Sequence, residues 1–113
     1  MRFGHIELFA KDVGATSRFY EAIGFERIDE QGPNIVWLKS GETELLIRPG
    51  SAPQADAYAS SGAAIVVYTD DLPGAISRLV AMGCSPVDYD GDEGCPLFRD
   101  PDGRWLQIVN PRS

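Results

Sequence analysis

Two tryptophans, one histidine and two carboxylates are the side chains of this sequence with the most distinctive chemistry. Trp37 and Trp105 carry flat indole faces, which can sandwich a planar ligand or hold a cation over the ring. Glu7 and Glu44 can add negative charge beside such a ligand. His5 is the only histidine, so an iron centre that needs two imidazoles cannot be built within one subunit.

Alternation along the predicted strands turns these side chains toward one face of a sheet. In residues 2–10, the side chains of His5, Glu7 and Phe9 share one face, and those at the even positions share the other. The residues predicted on the same face as the imidazole are His5, Glu7, Phe9, Ile35, Trp37, Glu44, Leu46, Arg48, Val66, Tyr68, Trp105, Gln107 and Val109. This set is aromatic, apolar and sparsely polar, which is typical of a ligand cavity.

Two helices are expected to cover the opposite face. Asp12 can cap a helix that ends at Gly24, and Asp71 can cap a second helix that ends at Gly83. The predicted apolar stripes are Ala15, Phe19 and Ile23 in the first helix and Leu72, Ile76, Leu79 and Val80 in the second. The strand residues expected beneath them are Ile6, Leu8, Val36, Leu38, Leu45 and Ile47, then Ile65, Val67, Leu106 and Ile108.

The chain repeats one supersecondary plan twice. Residues 5–25 align with residues 64–84 at an offset of 59. A repeat of that length within 113 residues predicts a single domain, 1–113, built from two βαβββ modules at 1–50 and 63–113. The segment 51–62 is small, polar and without periodicity, so we expect it to be the linker between them.

Composition excludes several classes of partner. Hydrophobic residues make up 43% and charged residues 24%, as in an ordinary globular domain. The net charge of −7 argues against nucleic acid, because nucleic-acid binders need a basic face. No apolar run approaches the roughly 20 residues that cross a bilayer, and the first residues lack the apolar region of a signal peptide. We therefore expect no membrane association and a cytoplasmic location.

The sequence resembles the vicinal-oxygen-chelate superfamily, which contains glyoxalase I, bleomycin-resistance proteins, extradiol dioxygenases and fosfomycin-resistance enzymes. The resemblance is carried by His5-Ile-Glu-Leu-Phe-Ala-Lys-Asp12, by Arg18-Phe-Tyr-Glu-Ala-Ile-Gly-Phe25 and by Phe98-Arg-Asp-Pro-Asp-Gly-Arg-Trp-Leu-Gln107. It implies an α+β fold in which paired βαβββ modules form a curved, partly closed mixed sheet around a cavity. It also implies a homodimer. The fold hosts many chemistries, so the resemblance does not select one activity.

Metal-using members of this superfamily take one ligand from the first strand and one from the last strand of each module. By this resemblance, His5 matches the first position, and Glu44 is a candidate for the second, although strand register could place Leu46 there. The third position carries Ala64. The fourth carries Gln107, where metal-using relatives usually have glutamate.

The favoured hypothesis is a binding protein of the bleomycin-resistance type, which sequesters an aromatic or cationic drug without a metal and thereby confers antibiotic resistance. The predicted ligand-binding residues are Trp37, Trp105, Phe9, Tyr68, Glu7, Arg48 and Gln107, with His5 as a further hydrogen-bonding group.

The alternative is a glyoxalase-like lyase or isomerase that holds nickel, zinc or manganese at His5, Glu44 and Gln107, with Glu44 or Glu7 moving the proton. The sequence leaves open whether the chain is an enzyme, and the single histidine disfavours an extradiol dioxygenase. A third hypothesis is a module without a ligand that only mediates assembly.

Overall fold

The chain folds into the two βαβββ modules expected from the sequence. The computed structural model describes residues 1–92 and 94–112. It divides into two compact units, Met1–Ala52 and Pro53–Ser113. The division falls inside the predicted linker, and the remainder of that segment belongs to the second unit.

The first unit is a four-stranded mixed sheet with one helix. Its elements are β1 (Ile6–Ala10), α1 (Val13–Ala22), β2 (Glu26–Glu30), β3 (Val36–Ser40) and β4 (Thr43–Pro49). The strand order is β1-β4-β3-β2. Strands β1 and β4 run parallel, and the other two pairs are antiparallel.

The second unit repeats this arrangement. Its elements are a short 3-10 turn (Tyr58–Ser60), β5 (Ile65–Tyr68), α2 (Leu72–Ala81), β6 (Asp88–Asp90), β7 (Cys95–Arg99) and β8 (Trp105–Val109). The strand order is β5-β8-β7-β6, with β5 and β8 parallel. Among the described strands, neither sheet closes on itself, since β1 and β2 are the edges of one and β5 and β6 the edges of the other.

Both helices begin and end as their sequences predict. The carboxylate of Asp12 accepts the backbone N–H of Ala15 at 3.0 Å, and that of Asp71 accepts the N–H of Gly74 at 3.1 Å. Each bond satisfies a donor that the first turn of a helix leaves without a partner. After α1, Gly24 adopts a φ of 114°, a backbone conformation that side chains with a Cβ rarely allow.

The apolar stripes differ in part from the prediction. In α1, Phe19 is buried as expected, but the fully buried side chain next to it is Tyr20, whose ring packs edge-on against Phe19 at 5.3 Å. In α2, Leu79 is fully buried, whereas Val80 was predicted wrongly because it is 48% exposed. The two are adjacent in sequence, so α2 turns Val80 about 100° away from Leu79.

The sheet residues that face the helices form the core. Those with little or no exposure are Leu8, Val36, Leu38, Leu45 and Ile47 in the first unit and Leu106 and Ile108 in the second. Ile6, Ile65 and Val67 were expected with them but are only half-buried. All three lie on β1 or β5, which are edge strands with a neighbour on one side only. No helix in the described part of the chain is long and apolar enough to span a membrane.

The turn between β7 and β8 is held by one buried carboxylate. The N–H of Gly103 donates to the carbonyl of Asp100 at 2.9 Å, which closes the turn. The side chain of Asp100 accepts the backbone N–H groups of Asp102 and Arg104 and forms an ion pair with the Arg104 guanidinium. Because both oxygens of this buried carboxylate accept hydrogen bonds, they fix the turn that leads into β8.

Candidate functional site

The exposed face of the first sheet carries the predicted cluster around His5. Glu7 on β1 pairs in register with Leu46 on β4, which pairs with Trp37 on β3. Phe9 pairs in the same way with Arg48. Directly paired residues share a face of the sheet, so the alternation predicted from the sequence holds for these five positions.

Glu7 is the polar centre of this cluster. One of its carboxylate oxygens lies 3.0 Å from His5 Nε2, and the other lies 3.3 Å from Arg48 Nη1. An ionised carboxylate only accepts hydrogen bonds, so the His5 Nε2–H donates. The hydrogen bond from His5, followed by that from Arg48, holds the pKa of Glu7 below its ordinary value. Glu7 is therefore an anion at neutral pH, and its two donors fix its orientation.

Aromatic rings flank this carboxylate. The His5 ring meets the Trp37 indole edge-on, with centroids 4.7 Å apart and planes at 66°. Arg48 lies over the Phe9 ring, with its guanidinium carbon 6.0 Å from the centroid. Phe9 is 42% exposed and Trp37 is half-buried. The face thus offers a ring surface to a ligand while its polar groups hold one another in place.

Glu44 lies on the same face of the first sheet, two residues before Leu46 on β4. Its cross-strand partner is Lys39, but the two side chains form no ion pair. The half-buried Glu44 carboxylate has no hydrogen-bond or ion-pair partner in residues 1–92 and 94–112. A carboxylate in this state can accept a donor from a ligand without first breaking a bond within the protein.

Trp105 lies in a different setting, inside the second unit. It is 5% exposed, and its indole N–H donates to the carbonyl of Ala55 at 2.9 Å. The Arg99 guanidinium stacks 4.3 Å from the ring centre and donates to the same carbonyl at 2.6 Å. The ring of Tyr58 approaches it edge-on at 6.0 Å. The Trp105 indole is thus in contact with other groups of the protein. Contact between this indole and a ligand stays a prediction.

The segment that reaches over Trp105 was missed by sequence reasoning. Residues 54–61 were expected to be a plain linker, yet Ala55 accepts two side-chain hydrogen bonds and Gln54 donates to the Asp102 carbonyl at 2.7 Å. A backbone carbonyl is present in every residue type, so its use leaves no trace in the sequence. The tyrosine at position 58 was the one available signal, since it is a large ring in an otherwise small and polar segment.

Two other predicted residues lie in the second unit. Gln107 is 8% exposed, and its amide N–H donates to an Asp90 carboxylate oxygen at 2.8 Å. Tyr68 is 71% exposed at the end of β5. Within this unit Gln107 and Trp105 occupy alternate positions on β8, which places them on the same face of the sheet. Their roles in binding stay predictions.

The donor set implied by the resemblance is a weak one for a divalent metal ion. Ala64 offers no donor atom, and Gln107 offers a neutral amide oxygen, which is a weaker ligand than a carboxylate. In the first unit the His5 Nε2–H is already directed at Glu7. Within the described residues, no three His, Cys, Asp or Glu side chains are grouped in a way that could hold a metal.

Solved structures share the fold of this chain at low sequence identity. Lactoylglutathione lyase from Agrobacterium tumefaciens is 20% identical with a TM-score of 0.71, over 98% of this chain and 94% of that one. The fosfomycin resistance protein FosX from Listeria monocytogenes, complexed with Mn(II) and sulfate, is 18% identical with a TM-score of 0.79, over 96% and 89%. FosX from Mesorhizobium loti is 16% identical with a TM-score of 0.75, over 95% and 89%.

The sequence itself matches a family profile along almost its whole length. No curated protein sequence gives a significant match. The profile of the Glyoxalase/Bleomycin resistance protein/Dioxygenase superfamily matches residues 2–108, in agreement with the two βαβββ modules and with the solved structures. The chain therefore belongs to the Glyoxalase/Bleomycin resistance protein/Dioxygenase superfamily.

Proposed function

We propose that this chain is a small-molecule-binding protein of the drug-sequestering type, which holds an aromatic ligand bearing a cationic group and uses no metal. The ligand lies on the exposed face of the first sheet, against Trp37, and its cationic group meets Glu44. One observation carries the proposal. A half-buried carboxylate without a partner lies on the same sheet face as a half-buried indole.

Trp37 favours a ligand with an aromatic part. Aromatic rings exposed on a sheet face favour flat partners, which they contact by stacking or edge-to-face packing. His5 already takes one such edge-on position at 4.7 Å, and its hydrogen bond to Glu7 keeps the imidazole there. A ligand ring that stacks on Trp37 therefore meets a side chain whose orientation is set before binding, which lowers the entropy cost of association.

The balance of charges on this face favours a cationic group on the ligand. Arg48 donates to Glu7 and lies over the Phe9 ring, so it is not paired with Glu44. Lys39 is close in register but does not form an ion pair with Glu44. The chain as a whole carries a net charge of −7, which attracts cations over longer distances.

The metal-dependent alternative receives less support from the same residues. A glyoxalase-like reaction requires several donors around one ion, and the positions of Ala64 and Gln107 do not supply them. The FosX structure from Listeria monocytogenes contains Mn(II), but a likeness at that identity concerns the fold. Under the alternative, native protein contains stoichiometric metal that is lost in His5→Ala, which elemental analysis detects directly.

Calorimetric titration with N-methylquinolinium, a planar aromatic cation, tests the proposal. Uncharged quinoline at pH 8 and quinoline-2-carboxylate serve as the neutral and anionic analogues. We expect the cation to bind best and Trp37→Ala to weaken binding about fivefold to thirtyfold, since a stacked ring and its cation contribute on the order of 1–2 kcal/mol. We expect Glu44→Gln to weaken binding of the cation but not that of quinoline. Chelator leaves both results unchanged.

Two matched variants separate these effects from general damage to the protein. Tyr89→Ala removes an exposed aromatic side chain of the second unit, and Glu42→Gln removes an exposed carboxylate next to β4. Both should bind N-methylquinolinium as the wild type does. Equal affinity in Trp37→Ala and wild type would refute the stacking site, and equal affinity for the cation and quinoline would refute the role of Glu44.

The homodimer implied by the resemblance is part of the proposal. Sedimentation equilibrium should give twice the chain mass. A monomer that still binds N-methylquinolinium would separate the two statements, since it would refute the dimer and leave the binding site in place.

A further inference from the structure

A second candidate site lies in the second unit, at the carboxyl ends of the parallel strands β5 and β8. A cleft of about 410 Å³ is lined there by Tyr68, Thr69, Asp70, Asn110, Pro111 and Arg112. Its two walls are joined by a hydrogen bond from the Thr69 N–H to the Val109 carbonyl at 2.9 Å. That volume lies within the range of small-molecule sites.

The cleft contains two opposite charges that do not neutralise each other. Asp70 and Arg112 both line it, yet they form no ion pair. Neither side chain has a hydrogen-bond or ion-pair partner elsewhere in residues 1–92 and 94–112. The backbone N–H of Arg112 donates to Asn110 Oδ1 at 3.0 Å, which anchors the start of this wall. An anion and a cation thus line one space without forming an ion pair with each other.

We propose that this cleft binds an α-amino acid. The ligand carboxylate meets the Arg112 guanidinium, whose planar fork matches a carboxylate with two parallel hydrogen bonds. The ligand ammonium meets the Asp70 carboxylate. Tyr68, 71% exposed and without a hydrogen-bond partner among the described residues, offers its ring to an aromatic or aliphatic ligand side chain.

The charge pattern selects this class over ligands with a single charge. A ligand with only a negative charge would pair with Arg112 but would be repelled by Asp70. A ligand with only a positive charge would pair with Asp70 but would be repelled by Arg112. A zwitterion satisfies both groups at once. This site shares no lining residue with the proposed face around Trp37, since every lining residue belongs to the second unit.

Titration of ¹⁵N-labelled protein with L-phenylalanine, followed by two-dimensional NMR, tests this inference. We expect saturable shifts in the amide signals of residues 68–70, 110 and 112, with little change at residues 5–9 and 37. Phenethylamine, which lacks the carboxylate, and 3-phenylpropionate, which lacks the ammonium, should each bind about tenfold more weakly, because each loses one charge-assisted pair. Asp70→Asn and Arg112→Gln should each weaken phenylalanine binding by a similar factor.

Control variants remove the same charges elsewhere. Asp92→Asn and Arg2→Gln alter exposed residues outside the cleft and should leave the affinity unchanged. Absence of saturable shifts would overturn the inference. Equal binding of 3-phenylpropionate together with a silent Asp70→Asn would also overturn it, since the cleft would then be an anion site. Neither result bears on binding of N-methylquinolinium, so the two proposals fail independently.

Discussion

The guanidinium carbon of Arg99 lies over the indole of Trp105, 4.3 Å from the ring centre, and both side chains donate a hydrogen bond to the carbonyl of Ala55. This arrangement joins segment 54–61 to strands β7 and β8. A stacked cation gains energy from the ring quadrupole, and a shared acceptor fixes both donors in one geometry. The contact is therefore a structural bond between a predicted linker and the sheet.

Replacement of Arg99 should weaken the second unit. Arg99→Ala removes the stacked cation and the hydrogen bond to Ala55, and we expect it to lower the free energy of unfolding by about 1–3 kcal/mol. Arg99→Lys should recover only part of this, because an ammonium lacks the planar fork. Urea denaturation followed by far-UV circular dichroism measures both. Arg2→Ala, an exposed control, should have little effect. A loss in Arg99→Ala no larger than in that control would contradict the contact.

Gly103 should tolerate a side chain less well than other glycines with the same backbone conformation. Its φ is 79°, and a Cβ there would lie 2.2 Å from the Gln54 side-chain oxygen. Gly91 has a φ of 71° with open space around it, so Gly91→Ala measures the backbone strain alone, about 1 kcal/mol. We expect Gly103→Ala to cost about 1 kcal/mol more in thermal unfolding, since Gln54 must give up its hydrogen bond to Asp102.

A double variant tests the cause of that extra cost. In the background of Gln54→Ala the clashing side chain is absent, so Gly103→Ala should then cost the same as Gly91→Ala. A difference between the two glycines that persists without Gln54 would show that the strain comes from the backbone and not from segment 54–61.

The sequence was sufficient for the features that depend on local pattern. Asp12 and Asp71 cap the helices because a short carboxylate before a helix satisfies its free N–H groups, and this rule is local. Strand alternation likewise placed Glu7 and Trp37 on one face.

Features that depend on packing between distant segments were not accessible. The docking of Ala55 on Trp105 joins residues 50 positions apart and depends on a backbone carbonyl. The predicted apolar stripe of α1 ended at Ile23, but Tyr20 is the fully buried residue. Which of them is buried depends on how α1 is rotated on the sheet. Sequence periodicity sets which residues share a helix face but leaves that rotation open.

Removal of a buried hydroxyl should stabilise the first unit. Ser17 in α1 is fully buried, and its oxygen has no hydrogen-bond partner among the described residues. A buried polar group without a partner costs on the order of 1–3 kcal/mol, so Ser17→Ala should raise the free energy of unfolding. Ser77→Ala, at an exposed position of α2, gains only the higher helix propensity of alanine. A gain in Ser17→Ala no larger than in Ser77→Ala would mean that the hydroxyl is satisfied in solution.

The pKa of Glu7 should report the geometry of the candidate site. The hydrogen bond from His5 lowers this pKa most, and the contact with Arg48 adds to the effect. Because the folded pKa lies below the unfolded one, Glu7 contributes stability above the unfolded value, and that contribution is lost as the pH falls through the folded value. NMR titration of the carboxyl carbon should therefore give a higher Glu7 pKa in His5→Ala than in wild type, and also a higher one in Arg48→Gln. The stability difference between wild type and Glu7→Gln should shrink across the same acidic window. An unshifted pKa in His5→Ala would show that the imidazole does not donate to Glu7, and the oriented anion beside Trp37 would then have to be held by Arg48 alone.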